Sequence, residues 1–431
     1  MTIRLARVWG LSLLSIVLGL APAGAAAAAE VSLRFNDAEH KEIRDALDVF
    51  QSQNPNVKVV LQRIAWSDAR EQFLREAAVG QGPDIGHFGQ VMIRSMGQAG
   101  AFLKLNDLVR KHGLEELWKT DFLSTDLASQ DDGTIHGIPW TVDTFAMVYN
   151  KDLLRQAGIT RFPETWEELR QASRQIKQKT GKTGWGFPAG SASTNSIWFF
   201  CNFYWWSHGW ALVDRAPDGK YVMNITLDQI AEAFDYYNSY FKEGHNDKAL
   251  LAVTNWGAQE LIEGMVQGNI AIISTPEFVL TQIEDAYKAR YPGKPLPFAS
   301  TIHPKDRNGS KTFIGGRQLG INVNTKHPDE AFQVIKYLLR PEIFSKYYVG
   351  QWPAQKSLLA KIERPPSHAG YAEQLKHART WGPYSTGPVA IPTMWNAVGR
   401  AAGSVFTGEK TSKVAAKELQ DLIQGELSKP K

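Results

Sequence analysis

The 431 residues include 48 basic and 44 acidic ones, and 43% of the chain is hydrophobic. That near balance excludes the strongly basic surface wanted for nucleic acid or an anionic membrane. Cys201 is the one cysteine, so no internal disulfide can form; an exported protein of this size has core enough to do without.

Arg4 and Arg7 precede the apolar run from Leu11 to Leu20, and Pro22 and an alanine tract lead to Ala29-Glu30. This charged, apolar, small-residue order is that of a secretory signal peptide covering 1–29. A membrane anchor is the alternative, but the run is about half of the ~20 residues that span a bilayer. No cysteine near the cleavage point would carry a lipid. The expected mature protein is therefore soluble, in a periplasm-like compartment. Removing 1–29 leaves 402 of the 431 residues, and losing Arg4 and Arg7 from the 48 basic residues leaves 46 against 44 acidic. Such a length suits two or three domains.

Val31 to Asn36 alternates as a strand, and Ile43, Ala46, Leu47 and Phe50 recur at helical spacing until Asn54-Pro55. Val57 to Ala65 predicts a second strand, Ser67 a cap for a helix through Ala78, and Gly80 to Ile85 a turn into a third strand. Strands alternating with helices at this spacing predict a parallel sheet covered by helices. Ligands of such sheets sit beyond the carboxyl ends of the strands, which places Glu39, His40, Trp66, His87 and Gln90 at the mouth of a crevice. Each has an alternative role. Glu39 and His40 suit a helix start, where an acid offsets the dipole; Trp66 suits packing; His87 suits a buried, satisfied histidine.

Gly137 to Lys151 reads as a crossing between two lobes. Val142 to Asn150 is β-branched and aromatic enough for one strand, and Pro139 denies it a backbone donor at its start. Thr165-Trp-Glu-Glu168 predicts a capping box. From Asn195, an expected N-cap, to Trp210 the chain is apolar on every side, so the helix there is wholly buried or faces an apolar ligand surface. Trp198 in its first turn is the candidate for the crevice, while Trp205 and Trp206 are assigned to packing. Ala258 to Met265 predicts a helix, Asn269 to Ser274 a strand, and Thr275-Pro-Glu277 a loop at its end. Pro292 to Pro297 breaks the chain. Thr312 to Asn324 predicts a strand whose Gly315-Gly-Arg317 marks close approach of a ligand or another backbone, although Arg317 also suits pairing with a surface acid. A helix from Asp329 to Leu339, a tail rich in tryptophan and proline, and a helix from Thr411 to Leu427 complete the chain.

Much common chemistry is missing. The histidines are scattered, without zinc spacing or cysteine partners, and neither a phosphate loop nor a Gly-x-Ser-x-Gly elbow is present. No metal and no cofactor are expected, and Cys201 among aromatics should be inert. A pair of carboxylates flanking a sugar stays open, because any two could meet in space. Aromatic platforms with a few scattered polar groups match the apolar C–H faces and the hydroxyls of sugars, and suit binding better than bond breaking.

The chain resembles the extracellular solute-binding receptors of ABC importers, in the group that includes maltodextrin and other sugar receptors. The resemblance runs through nearly all of the mature chain: Gly80-Gln-Gly-Pro-Asp-Ile85, Gly137-Ile-Pro-Trp140 with Met147 to Leu153, Pro163 to Glu168, Gly268-Asn-Ile-Ala, Gly315 to Ile321, and Thr407-Gly-Glu-Lys. It implies an α/β, two-lobe periplasmic-binding-protein fold with discontinuous lobes joined by a hinge of about three crossings. One lobe would hold 30–141 and 302–340, the other 142–301 and 341–431. It further implies that Asp143 is a polar ligand contact, that Trp198 and Trp395 are stacking surfaces, and that Glu277 lines the cleft. Trp140 at the cleft floor, Gly316 beside Arg317, and Trp352 and Trp381 in the tail complete the expected binding set. The family often has an aromatic where Arg317 stands, which points to a more polar or partly charged sugar. The implied partners are a sugar and the permease subunits of an ABC transporter, with the receptor a monomer and not an enzyme. A secreted carbohydrate-active enzyme and a receptor for a non-sugar solute are the rival readings.

Overall fold

A computed structural model of the protein describes residues 28–35, 41–191, 196–347, 351–359 and 361–429. The expected signal peptide, apart from its last two positions, Glu39, His40 and the expected cap Asn195 therefore lie outside the described residues.

The first lobe follows from its periodicity. Strands Ala29–Phe35, Val57–Arg63 and Ile85–Gly89 alternate with helices Lys41–Gln53, Trp66–Ala78 and Gln90–Gln98. Ala29–Phe35 lies parallel to both other strands, and its inward side chains Val31 and Leu33 have no exposed surface. The second helix opens at Trp66, with Ala65 rather than Ser67 in the cap position. The sheet grows to six strands as Gly315–Ile321 joins antiparallel to Ile85–Gly89, followed by Ile138–Asp143 and Trp352–Pro353. The second lobe is built on a four-stranded sheet ordered Phe298–Thr301, Phe145–Asn150, Ile270–Pro276, Thr183–Trp185.

The expected single strand from Val142 to Asn150 is two strands on two sheets. Ile138–Asp143 belongs to the first lobe and Phe145–Asn150 to the second. Thr144 makes the transfer: its hydroxyl lies 2.8 Å from Thr312 Oγ1 and 2.7 Å from the Phe313 carbonyl oxygen. Pro139 falls inside its strand, where the pairing is interrupted by a bulge between Arg317 and Gln318.

The return crossings differ from the expected boundaries. After Thr301 the chain stays with the second lobe through the hairpin of Lys305–Asp306 and Gly309–Ser310, where the Lys305 amide bonds Glu164 and the Asn308 amide bonds Ser207. It crosses at 312–315, beside the first crossing. The third crossing follows Leu359 instead of Arg340. Ile343–Tyr347 packs on the Lys41–Gln53 helix and Trp352–Pro353 pairs with Thr141 and Val142, so these apolar residues are buried on the first lobe. Ala369–Leu375 then packs on the second-lobe strands.

Helix Ile197–Ser207 is buried at all 11 positions, against Leu227–Lys242 and Ile391–Phe406. Trp205 and Trp206 are core, as the sequence suggests. The Thr165–Glu168 capping box is formed, and Thr226 with Gln229 forms another. Among the described residues no helix is long and apolar enough to cross a membrane.

Candidate functional site

A cleft of about 320 Å³ opens where the two sheets meet. Its first-lobe wall holds Trp66, Gly89, Gln90, Val91, Asp143 and Gly315 to Arg317; its second-lobe wall includes Phe145, Phe199, Trp256, Phe278, Trp381 and Trp395. Most of these sit at a strand end or in a helix's first turns, the positions that gather beyond the carboxyl ends of strands in α/β folds. Five helices start here, after Ala65, Gly89, Ser196, Pro276 and Ala390, and none carries a side-chain cap. The positive dipole ends of these helices suit oxygen-rich ligands.

Glycines shape the first-lobe wall. Gly316 has φ +124°, and a Cβ there would collide with the Thr141 carbonyl oxygen and the Val142 Cα; one on Gly315 would strike the Asp143 carboxylate. Only glycine lets the strand press this closely on Ile138–Asp143. Gly89 gives the same freedom to the Trp66 ring, which lies against it. The Arg317 guanidinium sits 4.7 Å from the centre of that ring, and its Nη1 donates to the Gly316 carbonyl at 3.3 Å. Arg317 thus borders the cleft and also braces Trp66 through a cation–π contact.

The second-lobe wall is an aromatic bed. Phe313 stacks on Trp381 at 5.1 Å, and Trp381 lies nearly parallel to Trp198 at 5.8 Å. Phe199 meets both Trp256 and Trp395 edge-on at 5.1 Å. Trp198 has no exposed surface, so it backs the bed instead of presenting a face, whereas Trp66 and Phe278 are each 44% exposed on opposite lobes. The polar side chains are few. Gln90 is buried, its Nε2 donates to the Thr141 carbonyl at 3.3 Å, and its Oε1 has no protein partner. Asp143 is the one carboxylate among the described lining residues.

Eight of the expected residues border this cleft: Trp66, Gln90, Asp143, Trp198, Gly316, Arg317, Trp381 and Trp395. Four others are elsewhere. His87 is packed between Phe35 at 4.6 Å and Trp140 at 5.3 Å, inside the first lobe. Trp140 is fully buried and donates its indole N–H to the Leu338 carbonyl at 2.9 Å. Trp352 lies beneath the Arg364 guanidinium at 5.1 Å. Glu277 is not in a loop: the strand runs to Pro276, Glu277 opens helix Glu277–Arg290, and its carboxylate turns inward to His368 at 2.7 Å. Phe278, one residue on, takes the cleft position instead.

Sequence reasoning missed Phe145, Phe199, Trp256, Phe278, Phe313 and Ile391. Phe199 and Phe278 had a signal, since each stands in a helix's first turn directly after a candidate residue, Trp198 and Glu277; Trp256 and Phe313 had none. Among the described residues no group of His, Cys, Asp or Glu could hold a metal. Cys201 is buried, and burial pushes its thiol well above the usual range, away from the reactive thiolate.

The chain is similar to several known proteins. A Brucella abortus (strain 2308) chain named "Putative binding protein BAB2_0491" is 24% identical over 80% of each chain. The galactooligosaccharide-binding protein of Bacillus subtilis (strain 168) is 21% identical, covering 89% of this chain and 86% of its own. The solved structure of the sugar-binding protein MalE from Xanthomonas citri has the same fold, with a TM-score of 0.76 at 20% identity over 93% of this chain and 98% of that one. The profile of the bacterial extracellular solute-binding protein family matches residues 35–343, and the chain belongs to that family.

Proposed function

We propose that the protein is an exported receptor that captures a sugar or oligosaccharide between its lobes and delivers it, as a monomer in the periplasm, to the permease of an ABC importer. The observation that carries this reading is the cleft itself. Aromatic faces from both lobes flank a space whose polar groups are few: Gln90, Asp143, Arg317 and the starts of five helices. Aromatic rings offer apolar platforms for sugar C–H faces, and the polar groups fix orientation through hydroxyls. Both walls touch one ligand only when the lobes are together, so binding shifts the ensemble toward the closed form, which the permease then reads.

A thermal-shift panel of mono-, di- and oligosaccharides, with amino acids and polyamines as controls, tests the reading. A saccharide should raise the melting temperature with saturable dependence, because a ligand that binds only the folded state stabilises it. Stabilisation by the controls alone would replace the sugar with another solute. Glycoside hydrolysis needs an acid and a second carboxylate across the bond, and the described lining has Asp143 alone. Prolonged incubation with labelled oligosaccharides should therefore leave them uncut.

A further inference from the structure

Four ionisable side chains are buried together beside the third crossing. His368 Nδ1 lies 2.7 Å from Glu277 Oε1, and its Nε2 lies 3.4 Å from Glu284 Oε2. Arg364 Nε is 3.7 Å from the same Glu277 oxygen. No side chain in the group is more than 8% exposed. Two carboxylates, a guanidinium and an imidazolium sum to zero, which is how buried ions are tolerated; removing one charge strands the others.

This cluster joins the lobes. Arg364 donates from Nη2 to the Gln351 carbonyl at 2.9 Å and lies over Trp352, both on the first lobe. The Gln351 side chain in turn bonds the Thr141 hydroxyl in strand Ile138–Asp143. On the other side, Glu277 opens the helix whose flanking Pro276 and Phe278 form cleft wall. A continuous path of polar contacts thus runs from a first-lobe hinge strand to the second-lobe rim.

We infer that Glu277, Arg364 and His368 are positioning residues that set the angle between the lobes in the ligand-free protein, bracing the Phe278 wall against the first lobe without touching the cleft. The importance of that angle for capture rests on the proposed receptor function, but the angle itself can be measured without any ligand. Protons give the handle. Burial opposes charge on His368, yet hydrogen bonds to Glu277 and Glu284 outweigh it and raise its pKa to about 9. The other groups facing it are Arg364, Tyr371, whose phenol is pushed well above its usual range by burial, and Lys288, which acts on Glu284 from the next turn.

Cys201 is buried, so cysteines introduced as Glu71→Cys and Gln282→Cys can be spin-labelled selectively. They lie on the helices that carry the two exposed rim aromatics, Trp66 and Phe278, in their first turns. Inter-label distances are measured by pulsed electron spin resonance between pH 7 and 10, with far-UV circular dichroism confirming the fold. The unsubstituted network should give a narrow distribution at pH 7 that broadens or shifts by more than about 2 Å, with a midpoint near pH 9. His368→Gln should show the altered distribution already at pH 7, with no step between pH 7 and 10. Arg364→Met should alter it at every pH. A distribution that stays the same across pH in the unsubstituted network overturns the inference, as does an unchanged distribution in a folded His368→Gln protein. Should either variant fail to fold, the pH series on the unsubstituted network decides alone. Failure of every saccharide in the panel would sink the receptor reading and leave these distances untouched.

Discussion

Two tryptophans of the same cleft should respond oppositely to removal. Trp198 has no exposed surface, stacks on Trp381 at 5.8 Å with planes 5° apart, and leans on Tyr384 at 5.7 Å. Trp198→Ala therefore empties a core site. The loss of transfer free energy and the cavity left behind cost about 3–5 kcal/mol of stability. At roughly 2–4 °C per kcal/mol for a domain the size of one lobe, the melting temperature should fall by on the order of 10 °C. Trp395 is only half-buried, meets Phe199 edge-on at 5.1 Å and gives its remaining face to the cleft. Trp395→Ala should leave the melting temperature of the free protein within a few degrees and weaken saccharide binding by about 1–3 kcal/mol, the value of one stacking face. Differential scanning calorimetry on the free proteins and titration calorimetry with the best saccharide of the panel separate the two effects. A Trp198→Ala protein that keeps its melting temperature but no longer binds would mean that this ring meets the ligand. An unchanged titration for Trp395→Ala would take that ring out of the site.

Asp143→Ala should weaken saccharide binding while shifting the melting temperature little, since the carboxylate is half-buried at the cleft edge; a large thermal loss would make it structural. Gly316→Ala forces a side chain into φ +124° and against the Thr141 carbonyl, which should cost at least about 1–3 kcal/mol, read as a lower urea midpoint. An unaltered midpoint would show that the strand can slide away. His368 has a folded-state pKa of about 9 against an ordinary 6.5, so its stabilisation is complete below the lower value and lost as pH rises through the upper one. The difference is on the order of 3 kcal/mol. Melting temperatures at pH 7 and 10 should diverge more in the native protein than in His368→Gln, and equal divergence would place the titration elsewhere.

What could be read in advance was what local periodicity decides. The first lobe's alternation of strand and helix is set by residues a few positions apart, and so is the capping box at Thr165. The transfer at Thr144 is not: both halves of 138–150 have strand composition, and the switch of sheets depends on Thr312, 168 residues away. The same limit governs the site. Placing polar and aromatic residues near strand ends located the cleft, but the direction of each side chain depends on packing partners distant in sequence. His87 lies in a strand bound for the cleft, yet Phe35 and Trp140 enclose it. Glu277 begins a helix at the rim, yet His368 draws its carboxylate inward while Phe278 takes the wall. Trp352 has the aromatic face expected of a sugar platform, and Arg364 covers it. Glu277 and Trp352, both assigned to ligand from sequence, thus both meet Arg364 beside the third crossing. The inferred brace therefore grips the wall at the residue that opens its helix, since Glu277 stands between Pro276 and Phe278 of the lining.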